Sequence, residues 1–496
     1  MTTTATTTET PVPTPARPGR LRAAWRPDRT SVAPRATLVA ALGAGAVAAV
    51  TLDPSLVSIA YLLAGAAVAA TAFVTVAPRP TGLQVWAVAA ALALLAVAAI
   101  RGAGWLVLVC VAASWMVGSV ALVGGRTWTG LALAPVSLWC TPTRLVGWVH
   151  RGRARYPSAS RVRPGRVLAV AAVSACLVLL FGALFVSADP EFGRVFESVV
   201  PSVGLGNPIP HLVLGVLVAG AALASAYLRR RSPRLDALAP APARPLARWE
   251  WAVPVALLDL LFAAFVAVQL RVLFGGDGHV MGTDHLTYAD YARQGFWQLS
   301  AVTVLTLLVV AVAVRRIDTT APRDRRLARV ALGPLCLLTL VVVASAVHRM
   351  ALYESVFGFT RLRLGVMATE LWLGAVFVAL LAAGVRMTGR WLPRAVLASA
   401  VLGTLAFAAI NPDGHIADRN VARYAETGSI DVSYLRGLSV DAVPALDRLP
   451  EPVRSCALLG IGVGGGASGF AYNAARSRAA QILRERPVGP CDLGRW

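Results

Sequence analysis

Residues 83–123 read LQVWAVAAALALLAVAAI, then RGAG, then WLVLVCVAASWMVGSVALV. Two uncharged apolar runs, 83–100 and 105–123, flank a link with one charge, Arg101. A helix rises ~1.5 Å per residue, so about 20 residues cross a ~30 Å hydrocarbon core. The stretch therefore reads as two membrane-crossing helices joined by a short turn. Working outward, comparable runs occupy 36–51, 55–77, 167–187, 211–228, 251–274, 296–314, 330–347, 365–385 and 393–410, eleven spans with the first pair. The run 36–51 is short and is followed by Asp53-Pro54, so it reads either as a crossing helix or as half of a re-entrant hairpin with the next.

Composition agrees with that reading. Of 496 residues, 57% are hydrophobic and 15% charged, against about 25% charged in soluble domains. Mean hydropathy is +0.65. Soluble multidomain, collagen-like, coiled-coil and disordered classes are excluded together. The fold class is all-α, a polytopic transmembrane bundle of about eleven spans with a small extracytoplasmic C-terminal helical region. Five regions follow: a basic, disordered N-terminus (1–35), N-terminal spans (36–123), an Arg-rich loop with an interfacial helix (124–166), a transmembrane core (167–410) and the tail (411–496). The interfacial helix is placed around Leu131–Trp139, with Trp128, Trp139 and Trp148 among arginines.

All 47 basic residues are Arg, a bias that fits a GC-rich genome such as an actinomycete's. Without Lys there is no P-loop lysine, Schiff-base lysine or kinase-type lysine. The net charge of +22 sits mainly between apolar segments, which points to lipid headgroups and topology instead of nucleic acid. With the N-terminus inside and strict alternation, the inside segments hold 30 Arg and the outside connections 7, the remaining 10 lying in the tail after residue 410. The positive-inside rule then gives a cell-membrane protein with a cytoplasmic N-terminus and an extracytoplasmic C-terminus. Expected partners are membrane lipids and envelope proteins, with no nucleic acid. Cys456 and Cys491 are the two cysteines placed outside, where oxidation permits a disulfide closing the tail; spacing alone leaves that open.

Candidate chemistry is sparse. Gly460–Gly465 satisfies GxGxxG but lacks a surrounding βαβ unit, so it reads as a flexible turn. The loop Gly275–Tyr291 carries Asp277, His279, Asp284, His285 and Asp290 in no known metal-ligand spacing. No catalytic residue, metal site or cofactor is assigned. Asp259 lies near mid-membrane with Gln269 ten residues on, either as a proton relay or as an acid bonded to a neighbouring helix.

Three clusters fall on the outer side: Tyr288–Phe296, with Tyr291 and Arg293; His348–Arg363, with Arg349, Tyr353, Glu354, Arg361 and Arg363; and Asn411–Tyr424, with Asn411, Asn420 and Arg423. Arg forks, Tyr hydroxyls and Asn amides suit an anionic headgroup. The same residues also suit reciprocal Arg–Asp/Glu pairs that dock the tail on the helix ends.

At these residues the chain resembles a bacterial integral membrane family catalogued as a domain of unknown function, the 4153/4173 group, and reads as an actinobacterial member. The segments are FVAVQLRVLFGG (265–276), YARQGFWQL (291–299), LYESVFGFTRLRLG (352–365), NPDGHIADRNVARY (411–424), DVSYLRGLSVDAVPAL (431–446) and FAYNAARSRA (470–479). The resemblance covers about 165–480, leaves the first four spans out, and implies architecture without chemistry. The leading expectation is a non-enzymatic envelope protein binding an anionic lipid or headgroup at the Arg/Tyr/Asn cluster. Two alternatives stand: an enzyme on a lipid-linked substrate using Glu354, Asp413 or Asp418, and a proton-coupled transporter using Asp259.

Overall fold

The computed structural model describes residues 24–25, 31–76, 79–154, 208–241, 244–274, 288–318, 321–462 and 469–491; the side chains of 152–154, 208 and 270–295 lie outside that description. Among the described residues every regular element is helical, and seventeen are α-helices. The helices of the bundle are α1 Arg35–Thr51, α2 Ala60–Val74, α3 Gly82–Ile100, α4 Gly104–Val123, α5 Trp128–Trp139, α6 Pro142–Ala154, α7 Pro208–Arg230, α8 Arg248–Phe274, α9 Tyr288–Arg316, α10 Pro322–Phe357, α11 Arg361–Arg386 and α12 Leu392–Ile410. The C-terminal helices are α13 Pro412–Thr427, α14 Val432–Leu435, α15 Val443–Leu446, α16 Val453–Leu458 and α17 Ala474–Glu485. The chain is thus an all-α polytopic bundle. Among the described residues eight helices are long and apolar enough to cross a membrane, and α1 and α2 are shorter apolar helices. The run 167–187, residues 275–287 of the Asp/His loop and residues 463–465 of the glycine motif lie outside the described residues.

Local chemistry sets the helix ends. Thr81 and Gln84 form a reciprocal capping box at the start of α3. Asn411, in the left-handed conformation, ends α12 and starts α13, with Pro412 in the first helical turn, so the chain turns a sharp corner there. Small residues let α1 and α7 cross at backbone distance. A Cβ on Gly45 would lie 2.7 Å from the Gly215 carbonyl oxygen, and one on Gly215 would lie 2.8 Å from that of Gly45. Close approach of this kind substitutes for the missing hydrophobic drive between helices in lipid.

Two helix groups result. One joins α1, α2, α3, α4 and α7; the other joins α8 to α11 around Trp251, Phe262, Leu335 and Phe377. Helix α12 stands between them, packed on α11 at one side and on α3 and α4 at the other. The helices α13 to α17 form a small cap with its own apolar centre, including Ile416, Leu435, Leu446 and Leu458.

The connections sort to two ends. The α1–α2, α3–α4, α10–α11 and α12–α13 connections all touch the cap or lead into it. At the opposite end, Asp236 accepts from the Arg126 and Thr127 amides, Arg394 donates to the Gly125 carbonyl, and the Leu246 amide donates to the Arg316 carbonyl. Alternation of this kind is what helices traversing one layer produce. The short pair α1–α2 obeys it: Ala33 and Val76 cluster with Trp148 and Tyr227 at the opposite end, while the Ile59 amide donates to the Tyr472 carbonyl at the cap. The pair thus makes contacts at both ends. Residues 128–154 form two helices, α5 at the segment Leu131–Trp139 read from sequence and α6 after it. Trp128 and Trp139 are exposed, but Trp148 is fully buried, edge-on to Tyr227.

Candidate functional site

The cap sits on the bundle through two buried aspartates and one buried asparagine. Asp413, in the first turn of α13, is fully buried and takes four hydrogen bonds. Arg361 donates from Nε at 2.8 Å and Nη2 at 2.6 Å, the Ser439 amide at 2.8 Å and Trp105 Nε1 at 3.2 Å. Burial opposes ionisation of Asp413, but the Arg361 guanidinium and Ser439 outweigh it and hold the carboxyl below its ordinary value.

Asp441 fastens the α3–α4 turn. Its Oδ2 accepts from the Gly102 amide at 2.7 Å, the Ala103 amide at 2.9 Å and Ser439 Oγ at 3.0 Å, while Oδ1 is buried without a partner. Burial, the dominant influence, raises the Asp441 pKa. Only glycine fits opposite: a Cβ on Gly102 would lie 2.2 Å from Val440 Cγ2. Asn473 caps two helices at once. It donates to the Ala98 and Arg101 carbonyls ending α3, at 2.9 and 2.8 Å, and accepts from the Arg476 amide starting α17. Arg101 in turn donates to the Ala408 and Ala409 carbonyls that end α12.

The α10–α11 turn is held in the same way. Gly358 takes φ +79°, and Asn420 bonds both the carbonyl and the amide of Phe359. Arg423 donates to the Val356 carbonyl at 2.7 Å, Arg363 donates to the Phe357 carbonyl and stands 4.4 Å over the Tyr353 ring, and the Arg361 amide donates to Tyr434 Oη. Two of the three clusters thus meet, and they meet each other: Arg361, Arg363, Asn420 and Arg423 bond protein groups. Arg349 donates to Gln269 Oε1 at 3.0 Å. Glu354 and Asp259 each keep a buried oxygen without a partner. The side chains of Tyr291 and Arg293 lie outside the described residues. Cys456 and Cys491 are joined by a disulfide, Cα to Cα 4.8 Å. No group of three metal-ligating side chains occurs among the described residues.

Beside this junction, between α13 and α17, lies an open cavity of about 420 Å³ lined by Ile410, Asn411, His415, Asp441, Arg448 and Arg478. Arg448 pairs with Asp418 at its rim. Arg478 is exposed and bonds nothing among the described residues. Burial first, then the Arg419 charge, lowers the His415 pKa, so its imidazole is neutral at pH 7. Ile410, 57% exposed, ends the apolar helix α12, so the cavity opens at the edge of the apolar layer. Asp441, Arg448, Arg478 and Asn473 escaped sequence reading. The only local trace is cap chemistry, Ser439 two residues before Asp441 and Asn473 opening an apolar-periodic helix.

A family described as Domain of unknown function (DUF4153) matches residues 88–449. The chain belongs to this family. The match moves the boundaries read from sequence: it opens within α3, so the α3–α4 pair belongs to the family region, and it closes before the segment 470–479. Asp413, Asp441, Arg361 and Gly102 fall within it; Asn473 and Arg478 fall beyond. Neither a curated protein nor a solved structure matches the chain.

Proposed function

We propose that this membrane protein binds the anionic, hydroxyl-bearing headgroup of a lipid in the cavity between α13 and α17, with the cap on the extracytoplasmic side, as a non-enzymatic component of the envelope. The carrying observation is the pairing, in one cavity, of an unpaired cation, Arg478, with an unpartnered buried acceptor, Asp441 Oδ1. A phosphate suits the guanidinium and a sugar or glycerol hydroxyl suits the carboxyl oxygen. Exposed Ile410 at the cavity wall favours a ligand that arrives from the apolar layer. This keeps the ligand class that the Arg/Tyr/Asn cluster suggested and moves it next door, because Arg361, Arg363 and Arg423 are occupied in holding the cap.

Sidedness is supported by two features. Arg126, Arg144, Arg229 and Arg394 belong to the end away from the cap, as the positive-inside rule requires of a cytoplasmic face. The Cys456–Cys491 disulfide suits an oxidising compartment. The test is lipid retention: purified protein in nanodiscs of phosphatidylcholine with a minor fraction of phosphatidylglycerol, read by native mass spectrometry. Wild type is expected to retain phosphatidylglycerol, and Arg478→Ala to lose it with unchanged melting. Equal retention by both sinks the reading.

A further inference from the structure

One wall of the cavity beside α13 is lined by Asn411, Gly414, His415 and Asp418, the spacing of a single helix face. Asp441 and Arg448 line the facing wall, and Arg478 stands on the α17 side. A Cβ on Gly414 would lie 2.3 Å from Asn411 Nδ2 and 3.0 Å from the Asp441 carbonyl oxygen, so the Asn411 amide keeps its place only above a glycine. The side chains of Asn411 and His415 make no hydrogen bond among the described residues; His415 meets the Phe359 ring edge-on, centroids 6.0 Å apart. Asp441 is 5% exposed and its Oδ1 has no partner. An amide, a neutral imidazole and a carboxyl oxygen are hydroxyl-binding groups, and together they take more hydroxyls than a glycerol carries.

Charge selects as well. Arg448 pairs with Asp418 at the rim, so those two charges cancel and Arg478 is the lining cation left to meet a ligand. A phosphodiester carries a single negative charge and matches it. A phosphomonoester or a diphosphate brings further charge, which would face the Asp418 and Asp441 carboxyls across the same cavity with no cation of its own. Size points the same way. The volume of about 420 Å³ falls among clefts of ~300–1,000 Å³ that enclose whole small-molecule ligands, and a glycerol alone would leave most of it to water.

Resting on the reading of this cavity as a headgroup site, we propose that its ligand is a singly charged lipid phosphodiester whose outer substituent is a ring polyol, a pyranose or an inositol. Arg478 holds the phosphodiester, the ring hydroxyls bond Asn411, His415 and Asp441 Oδ1, and the lipid chains leave past exposed Ile410 into the apolar layer. A ring fixes neighbouring hydroxyls at set spacings, so bonding them costs less ordering than bonding a flexible glycerol chain. The Arg448–Asp418 pair is the charge filter, because it keeps Arg448 from gathering a second anionic oxygen.

The test is competition on the full chain, in phosphatidylcholine nanodiscs holding equal minor fractions of two lipids, read by native mass spectrometry. One arm sets phosphatidylinositol against phosphatidylglycerol. A second sets a polyprenyl-phosphoryl mannose against phosphatidylglycerol, and a third sets phosphatidic acid against phosphatidylinositol. A preference of about tenfold for the ring lipid is expected in one of the first two arms, and the arm that shows it names the source of the ring. Asn411→Gly keeps the left-handed corner and His415→Phe keeps the contact with Phe359; each is expected to lower that preference about fivefold with unchanged melting. Should Asn411→Gly melt early, His415→Phe decides. Asp418→Asn frees Arg448 and is expected to shift the third arm toward phosphatidic acid about fivefold. Phosphatidylglycerol retained as well as both ring lipids, or a preference that neither α13 variant moves, overturns the ring assignment. Phosphatidic acid winning in wild type, or a third arm unmoved by Asp418→Asn, overturns the single charge. In both cases the headgroup reading stands if Arg478→Ala still releases every lipid; retention that ignores Arg478→Ala sinks that reading and the ring polyol with it.

Discussion

Asp413 and Asp441 are the same residue type, both buried, and their environments push them in opposite directions. Asp413 is ionised against Arg361, so Asp413→Asn leaves a guanidinium facing a neutral amide and is expected to cost about 3 kcal/mol in thermal unfolding. Asp441→Asn keeps an oxygen for the Gly102 and Ala103 amides and removes a charge that burial disfavours, so it is expected to leave melting unchanged or raise it slightly. The pH dependence separates the two. A depressed pKa stabilises above the unfolded value near 3.9, and that part is lost as pH falls through the lower folded value. A raised pKa acts the other way, stabilising at low pH and losing the effect as pH rises past about 3.9. Acid unfolding of the cap should therefore weaken in Asp413→Asn and sharpen in Asp441→Asn. Identical acid curves for wild type and both variants would refute the assignment.

At the scale of elements, closeness is set by glycine. Gly45→Leu places a side chain on the Gly215 backbone and is expected to separate α1 from α7, costing about 1–3 kcal/mol by overpacking. Gly43→Leu, where nothing lies within 4 Å of a built Cβ, is the control and should be neutral. Equal effects at both positions would remove the crossing argument. The helices themselves were legible, because an apolar run of membrane length has few other structures open to it. Their neighbours were not. Nothing in the run 36–51 names Gly215 as its partner, since Ala and Gly recur throughout the chain and a crossing point depends on which small residues meet. The candidate site divides the same way. Arg361 and Asp413 stood out as charged residues near helix ends, but their mutual bond spans 52 positions. Arg478 looked like any arginine on an amphipathic helix until α17 was seen beside α13.

On the scale of the whole molecule, the cap is a clasp between two helix groups and is itself cross-linked. A disulfide with a sequence separation of 35 removes chain entropy worth about 3–4 kcal/mol from the unfolded cap. Reductant is expected to lower the melting of the cap in detergent and to leave bundle helicity in place; an unaltered melt would show that the cap is held by its bonds to the bundle alone. Sidedness has an equally direct check. Cys140 is exposed at the end away from the cap. An impermeant maleimide on intact cells is expected to miss Cys140 and, after reduction, to reach Cys491. Labelling of Cys140 instead would invert the protein.

The bonds from Asn473 to the end of α3 and from Arg476 to the Val57 carbonyl also bear on manufacture. Each early hairpin leaves the ribosome several hundred residues before the groups that satisfy its tip. Until α17 is translated, those tips wait with open carbonyls, and the hairpins stand as separate pairs free to slide. Completion is therefore a single late event, and a chain stopped short of residue 473 offers the cell's proteases a set of inserted but unfastened helices.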